Sequence, residues 1–83
     1  MDREELLERV TVNPRILVGK PTIRGMRISV EQILDALAAG VPEEDLLEDH
    51  PMLEPEDIRA ALLYARDVVA SEKVYPIDTP VPA

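Results

Sequence analysis

The 83-residue chain predicts a mainly helical domain, with three short helices behind a small β-hairpin element. Three observations carry this. Three segments repeat apolar residues at helical spacing, each bounded by Ser, Gly or Pro; one stretch alternates with period two around Gly25; and the core has no Phe, Trp or Cys to draw on. A chain this short buries roughly 60% of its unfolded surface, so Leu, Ile, Val, Ala and Met must fill one small core.

The first nine residues, "MDREELLER", are charge-rich and read as a helical turn or a frayed end. "VTV" at residues 10–12 reads as a strand closed by Asn13-Pro14, and "RILVG" as a second β-like run stopped by Gly19 and Pro21. "TIRGMRIS" follows. With Gly25-Met26 as a type II′ loop, Arg24 faces Arg27, Ile23 faces Ile28 and Thr22 faces Ser29. Alternation then turns both isoleucines inward, leaving Thr22, Arg24, Arg27 and Ser29 on a polar, basic face. Like charges opposed in this way cost stability, so the arginines need a counterpart.

Ser29 and Gln32 form the S-x-x-Q capping-box pattern for a helix over about 30–39, with Val30, Ile33, Leu34, Leu37 and Ala38 on one stripe and Gly40 as its stop. A second helix over about 42–49 has Pro42 in its first position, acids in its first turn, and Leu46 and Leu47 as anchors; Pro51 ends it. The third, over about 55–71, points Ile58, Ala61, Leu62, Ala65 and Val69 inward. Leu63, Tyr64 and Val68 widen its apolar surface, which asks for a second contact. Residues 1–9 are thus a charged lead-in, 10–72 a single domain (hairpin element 10–29), and 73–83 an extended, proline-rich tail. Three helices with tight junctions fit a helix-turn-helix arrangement.

The formal charge of -8 hides an asymmetry. Residues 11–30 carry Arg15, Lys20, Arg24 and Arg27 and no acid, whereas residues 31–72 carry twelve acids against Arg59 and Arg66. Three counterparts for Lys20, Arg24 and Arg27 are open: a nucleic-acid backbone, an acidic partner or second copy, and the chain's own acidic helices. An acidic protein surface is the expected one. As a recognition helix the third helix is poorly charged, because "EPEDIR" presents three acids where base edges should be approached.

Other chemistry is excluded. "VGKPT" is superficially similar to a phosphate-binding loop, but Pro14 stands where the first Gly is required and Pro21 removes a backbone N–H. The lone His50 suits a helix terminus, and the carboxylates suit first turns and solvated faces. No catalytic, cofactor-binding or metal-ligating residue is assigned, and the chain is expected not to be an enzyme. With no cysteine, no apolar leader and no apolar run of membrane-spanning length, a cytoplasmic setting without a membrane partner is expected.

The stretch from "NPRILVGKPTIRGMRISV" through "EDIRAALLYA" closely resembles domain-of-unknown-function family 433, over roughly residues 10–75. Met26 stands where that family commonly has Thr, and Glu54 where a Thr-like cap is common; "KVYPI" matches its usual ending. The resemblance implies a homeodomain-like three-helix fold and a role as the antitoxin of a type II toxin–antitoxin pair, neutralising a PIN-like ribonuclease toxin and binding its own promoter DNA. The expected partners are thus a toxin nuclease, promoter DNA and a second copy in a homodimer, with no small-molecule substrate. Leu63, Tyr64, Val74, Tyr75 and Ile77 are the candidate protein contacts. The alternatives are a helix-turn-helix regulator acting alone, and a structural dimer or adaptor with no nucleic-acid role.

Overall fold

The computed structural model describes residues 1–71, so the tail candidates Val74, Tyr75 and Ile77 lie outside the described residues. Among the described residues, four helices and a two-stranded antiparallel sheet make a mainly helical fold: α1 (Arg3–Leu7), β1 (Val10–Val12), a 3-10 turn (Leu17–Gly19), β2 (Pro21–Ile23), α2 (Val30–Ala38), α3 (Glu43–Asp49) and α4 (Pro55–Ser71).

The charged lead-in forms α1 because Asp2 caps it, its carboxylate accepting the Glu5 N–H at 2.8 Å. α1 packs along α4, where Arg3 pairs with Asp67. The "VTV" strand is real, but its partner is β2, with Val10 opposite Ile23, Thr11 opposite Thr22 and Val12 opposite Pro21. "RILVG" is not a strand. Leu17, Val18 and Gly19 all have positive φ (49°, 57° and 79°), so the chain coils back to lay β2 beside β1. An extended conformation there would carry the chain past the strand it has to pair with.

The hairpin turn also differs from the expected one. The Met26 N–H donates to the Ile23 carbonyl at 2.8 Å, and Arg24 and Gly25 have φ of 46° and 72°. Two left-handed central residues are the type I′ pattern, with Arg24-Gly25 and not Gly25-Met26 at its centre. Beyond the turn the expected pairing holds, through the Ile23 N–H to Ile28 carbonyl bond at 3.0 Å and the Thr22–Ser29 bridge. Arg24 and Arg27 therefore do not face each other. Nor is the second face of the hairpin wholly polar and solvated: Thr22 and Ser29 are buried, Thr22 with its hydroxyl against Thr11 of β1 and Ser29 at the cap of α2.

α2 carries the capping box that its sequence predicts, with the Gln32 N–H on Ser29 Oγ at 2.9 Å and the Ser29 N–H on Gln32 Oε1 at 3.3 Å. It ends in a Schellman motif. Gly40, at φ 87°, donates to Leu37, and the Val41 N–H reaches the Ala36 carbonyl at 3.0 Å. Pro42 precedes α3 as its N-cap and lies just outside its first turn. His50 closes α3, its backbone N–H on the Leu46 carbonyl at 3.1 Å.

The core joins Ile23, Val30, Ile33, Leu46, Leu53, Ile58 and Ala61, with Tyr64 against its edge. On α4 the buried residues are Asp57, Ile58, Ala60 and Ala61. Leu62 and Val69, expected to point inward, are 47% and 65% exposed. Ile58 and Ala61 point inward as expected, but the buried line also takes in Asp57 and Ala60 and continues to Tyr64, and an acid at its head masks the pattern. No helix among the described residues is long and apolar enough to cross a membrane.

Candidate functional site

Asp57 is the organising residue of the basic hairpin. It is the third residue of α4, which fixes one carboxylate oxygen, Oδ2, on the Glu54 N–H at 2.9 Å. This is the acidic half of a capping box. The same oxygen accepts from Arg24 Nη2 at 2.8 Å, while Oδ1 accepts from Arg24 Nε at 3.0 Å and from Arg9 Nη1 at 2.9 Å. Arg24 also donates to the Met52 carbonyl at 2.7 Å, and Arg9 to Glu54 Oε1 at 2.7 Å. The Arg24 N–H is held on the Arg9 carbonyl at 2.7 Å.

Asp57 is wholly buried. Burial pushes its carboxyl up, but the bonds from Arg24, Glu54 and Arg9 outweigh it and hold the group below the usual carboxylate range. Both guanidiniums are shifted up by the same bonds, Arg9 by its hydrogen bond to Glu54 and then by Asp57, Arg24 by Asp57. The cluster ties the residue entering β1, the hairpin turn and the start of α4 together. Each polar group in it is satisfied, which a buried charge requires.

Of the other hairpin cations, Lys20 pairs with Glu31 Oε2 at 2.9 Å on the protein surface. That hydrogen bond raises the Lys20 ammonium and lowers the Glu31 carboxyl. Arg27 is exposed and has no ion pair among the described residues. The five acids of α3 (Glu43, Glu44, Asp45, Glu48 and Asp49) likewise form no ion pair among the described residues.

Where α4 runs beyond its core contacts, its apolar surface is left uncovered among the described residues. A groove of about 570 Å³ separates it from α2, floored by Leu34, Tyr64, Ala65, Val68 and Val69. On the other flank of Tyr64 and Val68 lies a shallower hollow of about 400 Å³, reached by Leu7 and Val10. Tyr64 thus borders both, whereas Leu63 is half-buried and lines neither. Among the described residues no group of three or more His, Cys, Asp and Glu is arranged to hold a metal ion.

The sequence did not mark Arg9 or Asp57 as special. A carboxylate in a first helical turn is ordinary, and only its third-position spacing from Glu54 hinted at an inward role. Nor did it reveal Val18, a β-branched residue in the left-handed region whose side is turned wholly to solvent, at 95% exposure.

Residues 10–65 match the family model described as "Protein of unknown function (DUF433)". The chain belongs to the DUF433 family. A DUF433 member protein from Anabaena variabilis, known from its crystal structure, superposes with a TM-score of 0.72 at 28% identity, over 81% of this chain and 66% of that one. The uncharacterized protein y4eO of Sinorhizobium fredii is 45% identical over 58 residues, which are 70% of this chain and 26% of that protein. The chain therefore spans about a quarter of that relative and two thirds of the solved DUF433 chain. The matched stretch contains β1, the hairpin, α2, α3 and the Arg24–Asp57 latch, whereas α1, Arg9 and the groove residues Val68 and Val69 lie outside it.

Proposed function

We propose that this DUF433 chain is a non-enzymatic, protein-binding module of the antitoxin type, which neutralises a basic ribonuclease by covering it with an acidic surface. One observation carries the reading. Arg24 and Lys20, cations suited to a phosphate backbone, are engaged by the chain's own carboxylates, while the acids of α3 have no such partners among the described residues. The outer face is left negative. Enzymes that handle RNA present basic clefts, and opposite fields speed encounter and fix orientation.

The order α2, α3, α4 is read as a homeodomain-like trihelical unit. In that scheme α4 is the recognition helix, yet Glu54 and Glu56 head it, Asp57 being buried under Arg9 and Arg24. Phosphate would repel them. The fold is therefore read as a scaffold for protein contact, with promoter binding secondary and limited to exposed cations such as Arg27.

The test is inhibition. The product of the neighbouring reading frame, expected to be a small nuclease, is assayed for RNA cleavage with increasing amounts of the full chain. Inhibition at stoichiometric ratio is expected, with an association rate that falls steeply with salt. Reversing Glu43, Glu44 and Asp45 to Lys should slow association at least tenfold. A nuclease that stays fully active in excess chain at low salt contradicts the reading.

A further inference from the structure

The exposed half of α4 and its groove against α2 have a shape and chemistry that the acidic exterior alone does not explain. The walls are almost wholly apolar: Leu34 from α2 and Tyr64, Ala65, Val68 and Val69 from α4. Val69 is 65% exposed at the rim. Small-molecule sites of this volume converge several polar groups on the ligand to orient it. Here the charged groups of the lining, Lys20, Glu31 and Asp35, come from one side only, and the α4 side offers Tyr64, Ala65, Val68 and Val69. An apolar wall facing a charged flank fits a side-chain stripe and not a metabolite.

Charge selects which stripe. The α2 rim is Glu31 and Asp35, one turn apart, with Lys20 reaching Glu31 across the mouth. Asp35 has no ion pair among the described residues. A second hollow runs on from this rim past Lys20, Glu31 and Asp35 to the protruding Val18. Val18 holds a left-handed backbone conformation costly for a β-branched residue, within the coil that delivers β2 to β1, and its side chain stands in water. A second copy of this chain would bring another formal charge of -8 to the same acidic rim. Like fields of that size oppose association.

We propose that the α2–α4 groove is the seat for a basic amphipathic helix of a protein partner. Its apolar stripe packs on Leu34, Ala65, Val68 and Val69, and a Lys or Arg beside that stripe pairs with Asp35, next to the Lys20–Glu31 pair. Helix-in-groove recognition uses this combination of an apolar seat and a charged flank. The proposal rests on the protein-binding reading above and locates its contact, as a face distinct from the acids of α3.

The probe is an 18-residue helical peptide of leucine and lysine, beside a leucine–glutamate peptide with the same apolar stripe. Both are titrated against the full chain by fluorescence anisotropy and by backbone NMR. The lysine peptide should bind, with its largest shifts at Leu34, Asp35, Val68 and Val69, and the glutamate peptide should not. Two variants separate a seat from mere attraction. Val69→Glu adds negative charge, so unspecific attraction would strengthen, whereas an obstructed groove should bind at least tenfold more weakly. Asp35→Lys should also weaken binding about tenfold. An unchanged thermal midpoint for Val69→Glu shows that the fold is intact.

Four results overturn the proposal: tighter binding by Val69→Glu, shifts confined to α3, a wild-type dimer that Val69→Glu dissociates, or a tenfold gain in peptide affinity on truncation after Ser71. The last two identify a second copy or the chain's own tail as the occupant. If the nuclease is inhibited but the peptide footprint lies elsewhere, the groove assignment fails alone. If the peptide seats in the groove and no nuclease is inhibited, the antitoxin reading fails alone.

Discussion

Replacing Asp57 by Asn is the sharpest perturbation of this fold. The carboxylate is wholly buried and accepts four hydrogen bonds, three of them from guanidiniums. Asn keeps the shape and one acceptor for the Glu54 N–H, but it removes the charge and places an N–H₂ against donors. Removing one partner of a buried ion pair costs about 3–5 kcal/mol. The Arg24 side chain is 36% exposed and that of Arg9 18%, so both keep part of their hydration and the low end applies, about 3 kcal/mol. For a domain of this size that lowers the melting temperature by roughly 12–24 °C. Urea unfolding followed by far-ultraviolet circular dichroism measures it, with an unchanged slope expected against denaturant. A loss below about 0.5 kcal/mol would refute the latch.

Four further outcomes follow from the same geometry. The Asp57 carboxyl is held below its unfolded value, so its stabilisation is complete above that value, about 3.9, and is lost as pH falls through the lower native one; wild type should weaken on acidification in that window, and Asp57→Asn should show a flatter profile by thermal scanning. Ser29→Ala removes the α2 cap and the buried side chain of the Thr22–Ser29 bridge, an expected loss of about 1 kcal/mol in urea titration. Gly40→Ala has open space for its Cβ but must hold φ 87°, so differential scanning calorimetry should show a loss of about 1 kcal/mol from backbone strain alone. Val18→Asn relieves a β-branched left-handed residue that touches solvent, and should stabilise by about 1 kcal/mol in the same assay.

Sequence pattern made the helices legible where a local signal sits beside the apolar stripe. Ser29 with Gln32 and Gly40 with Val41 are complete within a few residues, and α2 forms between them. The hairpin pairing was legible for the same reason, since two isoleucines must share a face. Its turn was not, because Arg24 adopts a left-handed conformation that no local propensity favours, held by an acid 33 residues away. "RILVG" misleads in a similar way. Its residues favour strands, but β1 already has its partner, and the chain must coil to deliver it. On α4 the inward line begins with Asp57, so an apolar-only reading rotates the helix and turns Leu62 and Val69 the wrong way. As for the basic hairpin, the sequence supplied the cations and the acids; which acid meets which cation is a matter of tertiary geometry.

The proposed function has this chain facing a protein and not a phosphate backbone. Fluorescence anisotropy of the chain's own upstream DNA duplex, at about 150 mM salt and with the neighbouring nuclease as competitor, tests it most directly. The chain alone should bind the duplex no more tightly than non-specific contact allows, about 10⁻⁶–10⁻⁴ M, while binding the nuclease tightly. Tight, salt-sensitive duplex binding that Arg27→Ala abolishes would contradict it.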